Sequence, residues 1–120
     1  MRLKDNFYRV CSISQTDGGE YRVEAELMAD HPIYKGHFPQ KAVVPGVCTL
    51  TIIKECLGEI LARRVAFASI RECKYVSALT PQEGLRIIII LTIAEEKKVT
   101  AVVERADNHQ TVLKLKATLE

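Results

Sequence analysis

The chain contains no tryptophan, and only 6% of its residues are aromatic. Nor do aromatic and basic residues interleave, so the sequence lacks the stacking surface on which single-stranded nucleic acid is held. Charge of one sign is missing too: 17 Lys and Arg stand against 15 Asp and Glu, scattered to a formal balance of +2. Phosphate backbones need a massed basic footprint, and nucleic acid is therefore not the expected partner. The four cysteines, Cys11, Cys48, Cys56 and Cys73, form no CxxC pair and have no histidine at ligand spacing. A zinc site, or any metal, is not expected from them; they read as small buried hydrophobes in a reducing compartment. The opening MRLKDNFYRV has no apolar leader core, and the longest unbroken apolar run, Ile87 to Leu91, falls far short of a membrane span. These absences point to a cytoplasmic protein without a membrane span.

What is present is enough for one core. A length of 120 residues with 48% hydrophobic content fits a single domain, 1–120, with no linker, repeat or low-complexity stretch. Residues 7–14 and 21–28 are β-rich and flank Asp17-Gly18-Gly19, whose glycines supply the positive φ angles of a tight turn, so a hairpin is predicted. Three prolines between Asp30 and Val44 exclude regular structure and predict an extended loop. From Gly46 the period changes. Leu50, Ile53, Leu57 and Ile60 recur at helical spacing, and Val47, Cys48, Cys56 and Leu61 widen the apolar surface, which predicts a helix buried on most sides. Strand signals return at Val65–Val76, Leu85–Ala94, Val99–Arg105 and Thr111–Leu119. The run RIIIILTI has no alternation and should be covered on both faces, whereas LKLKATL alternates and should have one wet face. The expectation is an α+β protein in which an antiparallel sheet of about six strands wraps around one long apolar helix.

The stretch from Lys35 to Glu55, KGHFPQKAVVPGVCTLTIIKE, places His37 between a glycine and a Phe-Pro turn, with Pro45-Gly46 nine residues on opening the helix. The pattern GHFPxxxVxPGV followed by an apolar helix resembles the 3-hydroxyacyl-acyl carrier protein dehydratases of the FabZ and FabA type, which have the hot-dog fold. The resemblance implies a dehydratase-like lyase of fatty acid or related lipid or polyene biosynthesis, working on acyl thioesters, with acyl carrier protein as a partner and no cofactor. It makes His37 the base that removes the α-proton, a role suited to an imidazole that titrates near neutrality. It makes the Gly46 N–H the donor to the thioester oxygen. Elementary electrostatics agrees, since unpaired N–H groups at a helix start favour the negative charge of an enolate. Val47, Phe38 and Tyr34 are the accompanying candidates for substrate contact. A homodimer or a trimer of dimers is also implied, because a lone subunit leaves a sheet edge open and holds half a tunnel.

The resemblance breaks at Thr51, where the family carries Glu or Asp to protonate the departing hydroxyl. A threonine hydroxyl is far too weak an acid for that step. Glu55 lies one turn further, about 6 Å away on the same helix face, so both side chains are expected to point into one cavity. Glu55 is then either a displaced acid, or the carboxylate of a thioesterase, or a bystander; a non-catalytic subunit that binds a carrier or pairs with an active relative also stays open. Several residues have plainer readings. His31 and His109 fit exposed loops, Cys48 and Cys56 fit helix core, Glu59 fits a surface or interface, and Lys35, Lys41, Arg63 and Arg64 either keep the surface soluble or meet an acidic carrier protein.

Overall fold

A computed structural model describes residues 3–5, 7–28, 44, 46–80 and 84–120. Two strands, β1 (Tyr8–Gln15) and β2 (Tyr21–Leu27), precede the helix α1 (Gly46–Leu61). Four more follow: β3 (Phe67–Tyr75), β4 (Arg86–Ala94), β5 (Lys98–Arg105) and β6 (Thr111–Leu119). All six form one sheet in the order β1-β2-β4-β5-β6-β3, and every neighbouring pair is antiparallel. The element order is the one the periodicities predict.

Local chemistry explains the first hairpin. Gly19 takes φ +87°, which costs a residue without Cβ nothing. The turn closes with Gly19 N–H donating to Thr16 O at 2.9 Å and Thr16 N–H donating to Glu20 O at 2.8 Å. β4 crosses between β2 and β5 at the middle of the sheet, with Ala25 opposite Ile87 and Ile89 opposite Val103. The expected double cover of its isoleucine run holds for its first half: Ile87, Ile88 and Ile89 are all buried, and beyond them Thr92 and Ala94 face water. β6 alternates as predicted, with Leu113, Leu115 and Ala117 buried and Lys114 and Lys116 exposed.

The helix lies against this sheet and shares one cluster with it, in which Cys48, Ile52, Ile53, Cys56 and Leu57 join Val23, Leu27, Ile89, Leu91, Leu113 and Leu115. Burial is narrower than the sequence suggests. Leu50, Ile60 and Leu61 are only partly covered, and Val47 is 61% exposed. Apolar helix positions that a single chain leaves half wet are the ones a second subunit can cover.

α1 stops at a left-handed residue. Ala62 has φ +55°, and Arg63 N–H reaches back to Gly58 O at 3.2 Å, the six-to-one bond of a Schellman cap. The guanidinium of Arg63 donates to two further carbonyls, Arg64 O at 3.3 Å and Glu96 O at 3.2 Å. This ties the helix end to the β4–β5 turn.

Candidate functional site

The start of α1 is where sequence and structure meet most closely. Gly46 is its first residue, as expected, and no acidic side chain occupies the first turn. Within its own first turn the helix thus sets no carboxylate against its positive end. The backbone of Gly46 does not explain the glycine, since the glycines with positive φ are Gly19 and Gly84. Its neighbour does. A Cβ at position 46 would stand 2.5 Å from Tyr75 Cε1, 2.7 Å from Cζ and 3.0 Å from the hydroxyl oxygen. Carbon atoms in contact sit about 3.5–4.0 Å apart, so the Tyr75 ring fills the space where any side chain would go.

Tyr75 ends β3 at a sheet edge and remains 57% exposed although it leans on the helix. Partial desolvation of the phenol, and then the neighbouring Cys73 thiol, raise it above its ordinary titration range. It therefore keeps its proton at neutral pH. Tyr75 is a residue that reading the sequence missed: it stands 29 positions from Gly46, and nothing in its local spacing announces that contact. Val47, next along the helix, is exposed beside the same terminus.

Thr51 sits one turn into the helix with 9% exposure, and its hydroxyl donates to Val47 O at 2.9 Å. This is the back-bond that a helical threonine makes when no better acceptor is offered. Glu55 is engaged more heavily. Its Oε2 accepts from Leu3 N–H at 2.8 Å, and its Oε1 accepts from Lys4 N–H at 3.0 Å and from the Tyr8 hydroxyl at 3.0 Å. All three donors lie about fifty residues upstream. Lys4 also pairs with Glu59, one turn beyond Glu55, and buried beneath them is Cys56, whose thiol is pushed up to about 12 by desolvation and by the two glutamates. Glu55 thus fastens the N-terminal segment to the second half of α1.

A cavity of about 700 Å³ opens on that half, bounded by Lys54, Glu55, Gly58, Glu59, Arg63 and Arg64 among others. Thr51 is not on its wall, so the expected sharing of one cavity by Thr51 and Glu55 is not what this cavity displays. His37, Tyr34 and Phe38 lie outside the described residues. Among the described residues no group of His, Cys, Asp and Glu is arranged to hold a metal ion, and no helix is long and apolar enough to cross a membrane.

Among the described residues, an antiparallel six-stranded sheet packed on a helix that starts at a glycine defines, with the family match, a hot-dog protein of the dehydratase class. More narrowly, the family model ApeI-like, described as ApeI dehydratase, matches residues 13–115, and the chain belongs to that family. Among individual proteins, it is 27% identical over 74 residues to the 3-hydroxyacyl-(acyl-carrier-protein) dehydratase FabZ of Macrococcus caseolyticus, a match covering 56% of this chain and 51% of the relative. The chain spans about half the length of the curated relatives it matches. Among solved structures, the dehydratase heterocomplex ApeI:P from Xenorhabdus doucetiae superposes with a TM-score of 0.76 at 22% identity, covering 92% of this chain and 95% of that one. The dehydratase domain of the polyketide PpsC from Mycobacterium tuberculosis gives 0.72 at 16% identity, covering 92% of this chain and 43% of that chain. At these identities the structural likeness speaks for the fold.

Proposed function

We propose that the protein dehydrates a 3-hydroxyacyl thioester, carried on acyl carrier protein, with His37 as base and the Gly46 N–H as donor to the thioester oxygen. The observation that carries this reading is the helix start at Gly46, opened right after the GHFP segment and bare of acidic side chains in its first turn. In the reaction the imidazole of His37 takes the α-proton, the electron pair spreads onto the thioester oxygen beside Gly46, and the C–O bond at the β-carbon breaks as the C=C bond forms. The departing hydroxyl needs a proton to leave as water. Thr51 is too weak an acid to give it, and Glu55 would have to release three donors first.

The proton is therefore assigned to a group brought by a second subunit. Support comes from β3, an edge strand with Ile70 45% and Tyr75 57% exposed, on which another chain can dock. A second copy of this chain would bring the same Thr51 and Glu55, and the similar ApeI:P structure is a heterocomplex, which favours a non-identical partner as the source of the acid. Hydrolysis of the thioester by Glu55 is the weaker reading, because both of its oxygens are already occupied.

A panel of 3-hydroxyacyl thioesters tests the proposal by absorbance of the enoyl product, with free-thiol release run in parallel. His37→Ala should lower dehydration by about 10² to 10⁴, the range of a positioned general base, without moving the melting temperature. Thiol release that Glu55→Gln abolishes would make the protein a thioesterase. Folded protein with neither activity, alone or with a hot-dog partner, would leave a binding subunit.

A further inference from the structure

The space in front of Gly46 is bordered by the Tyr75 phenol. Three features bear on what it does. First, the hydroxyl oxygen lies 3.0 Å from the point a Gly46 Cβ would occupy. The Gly46 nitrogen lies about 2.5 Å from that same point by bond geometry. Nitrogen and hydroxyl can therefore be no more than about 5.5 Å apart, so the two donors border one small space at the helix start. Second, the group that acts on the hydroxyl from its own strand is the Cys73 thiol, a weak acceptor that leaves the hydroxyl available to an anionic oxygen. Third, Tyr75 is more than half exposed in the single chain, so a ligand entering beside a docked subunit can reach it without unpacking the core.

We propose that Tyr75 is a substrate-contacting residue of this site, its hydroxyl donating a second hydrogen bond, beside the Gly46 N–H, to the oxygen of a bound acyl thioester. The assignment rests on the dehydratase reading above and deepens it. Two donors converging on one oxygen stabilise the enolate more than the ground-state carbonyl, because the charge they address grows along the reaction. The raised phenol supports the role, since the group stays a protonated donor at neutral pH. The glycine at position 46 then has a double use: it bares the N–H and leaves room for the ring that carries the second donor.

The test compares wild type, Tyr75→Phe and His37→Ala. With 3-hydroxybutyryl-pantetheine as substrate, Tyr75→Phe should lower kcat about 10-fold to 100-fold with KM within about twofold and the melting temperature unchanged, since the ring stays and a single donor is lost. A wild-type kcat in Tyr75→Phe, or a loss confined to KM, overturns the proposal. Binding is read separately by fluorine NMR of protein carrying 3-fluorotyrosine at its four tyrosines, the Tyr75 resonance being assigned by its disappearance in Tyr75→Phe. Crotonyl-pantetheine at saturation should shift that resonance in wild type and in His37→Ala alike. If His37→Ala keeps full turnover, or wild type has none either alone or with a hot-dog partner, the dehydratase reading fails by itself, and a shifted Tyr75 resonance still upholds the contact. A Tyr75 resonance indifferent to saturating thioester sinks the contact whatever the turnover.

Discussion

Gly46→Ala isolates the contact on which the site's shape depends. Because Gly46 is not among the residues with positive φ, alanine suits the backbone and, at a helix start, brings a fraction of its advantage of about 1 kcal/mol over glycine. Against that stands the Tyr75 ring, whose Cε1 would be 2.5 Å from the new methyl. An overlap of about 1 Å cannot be absorbed by small adjustments in a packed contact, and overpacking costs about 1–3 kcal/mol. Tyr75 is 57% exposed, so the ring can swing outward, and the cost should fall at the low end. Gly46→Ala should therefore destabilise by about 1 kcal/mol alone, yet be neutral or slightly stabilising in a Tyr75→Ala background. Urea titrations of the four proteins give the coupling as a double-mutant cycle, expected at about 1–2 kcal/mol. A coupling below about 0.5 kcal/mol, the level at which distant sites simply add, would refute the claim that Tyr75 dictates glycine here.

Two further outcomes follow from the Glu55 cluster. Glu55→Ala removes an acceptor that serves two backbone N–H groups and a buried tyrosine hydroxyl; it should cost about 2–4 kcal/mol and speed hydrogen exchange at Leu3 and Lys4 first, whereas activity lost at unchanged stability would mark Glu55 as catalytic. Alkaline pH should also weaken the fold. Cys56 is raised to about 12 from its ordinary value near 9, so the unfolded chain releases this proton first and stability drops as pH climbs from about 9 towards 12, by up to about 1.4 kcal/mol per pH unit. Tyr8, raised by its burial, adds to the slope above its ordinary value near 10. Cys56→Ala should flatten the decline just above pH 9, and an unchanged slope would mean that the thiol is not desolvated as its surroundings imply.

The sequence announced those parts of the molecule that local chemistry decides. Asp17-Gly18-Gly19 names its own turn, and the recurrence of Leu50, Ile53, Leu57 and Ile60 names the helix, because a φ preference and a 3.6-residue period are written in adjacent residues. Contacts between distant residues were not legible. That β3 leaves the helix only to pair with β6, and that β2 skips over it to β4, depends on which edges meet in space. Glu55 looked free because its donors are 47 to 52 positions away. Tyr75 looked ordinary for the same reason. The Pro-rich segment with His37, where the sequence is most specific, lies outside the described residues, and its role rests on the motif.

The strand order also sets a schedule. β3 is the first strand after the helix, but its only neighbour in the sheet is β6, the last of the six, so a chain emerging from the ribosome carries β3 without a hydrogen-bonding partner for about 36 residues, roughly 2 to 7 s at ordinary elongation rates. Through that interval the hairpin and the helix can exist, while Ile70 and the backbone of β3 offer a bare edge to any other nascent chain. Two chains made close together on one message can thus meet at such edges before either has closed its sheet.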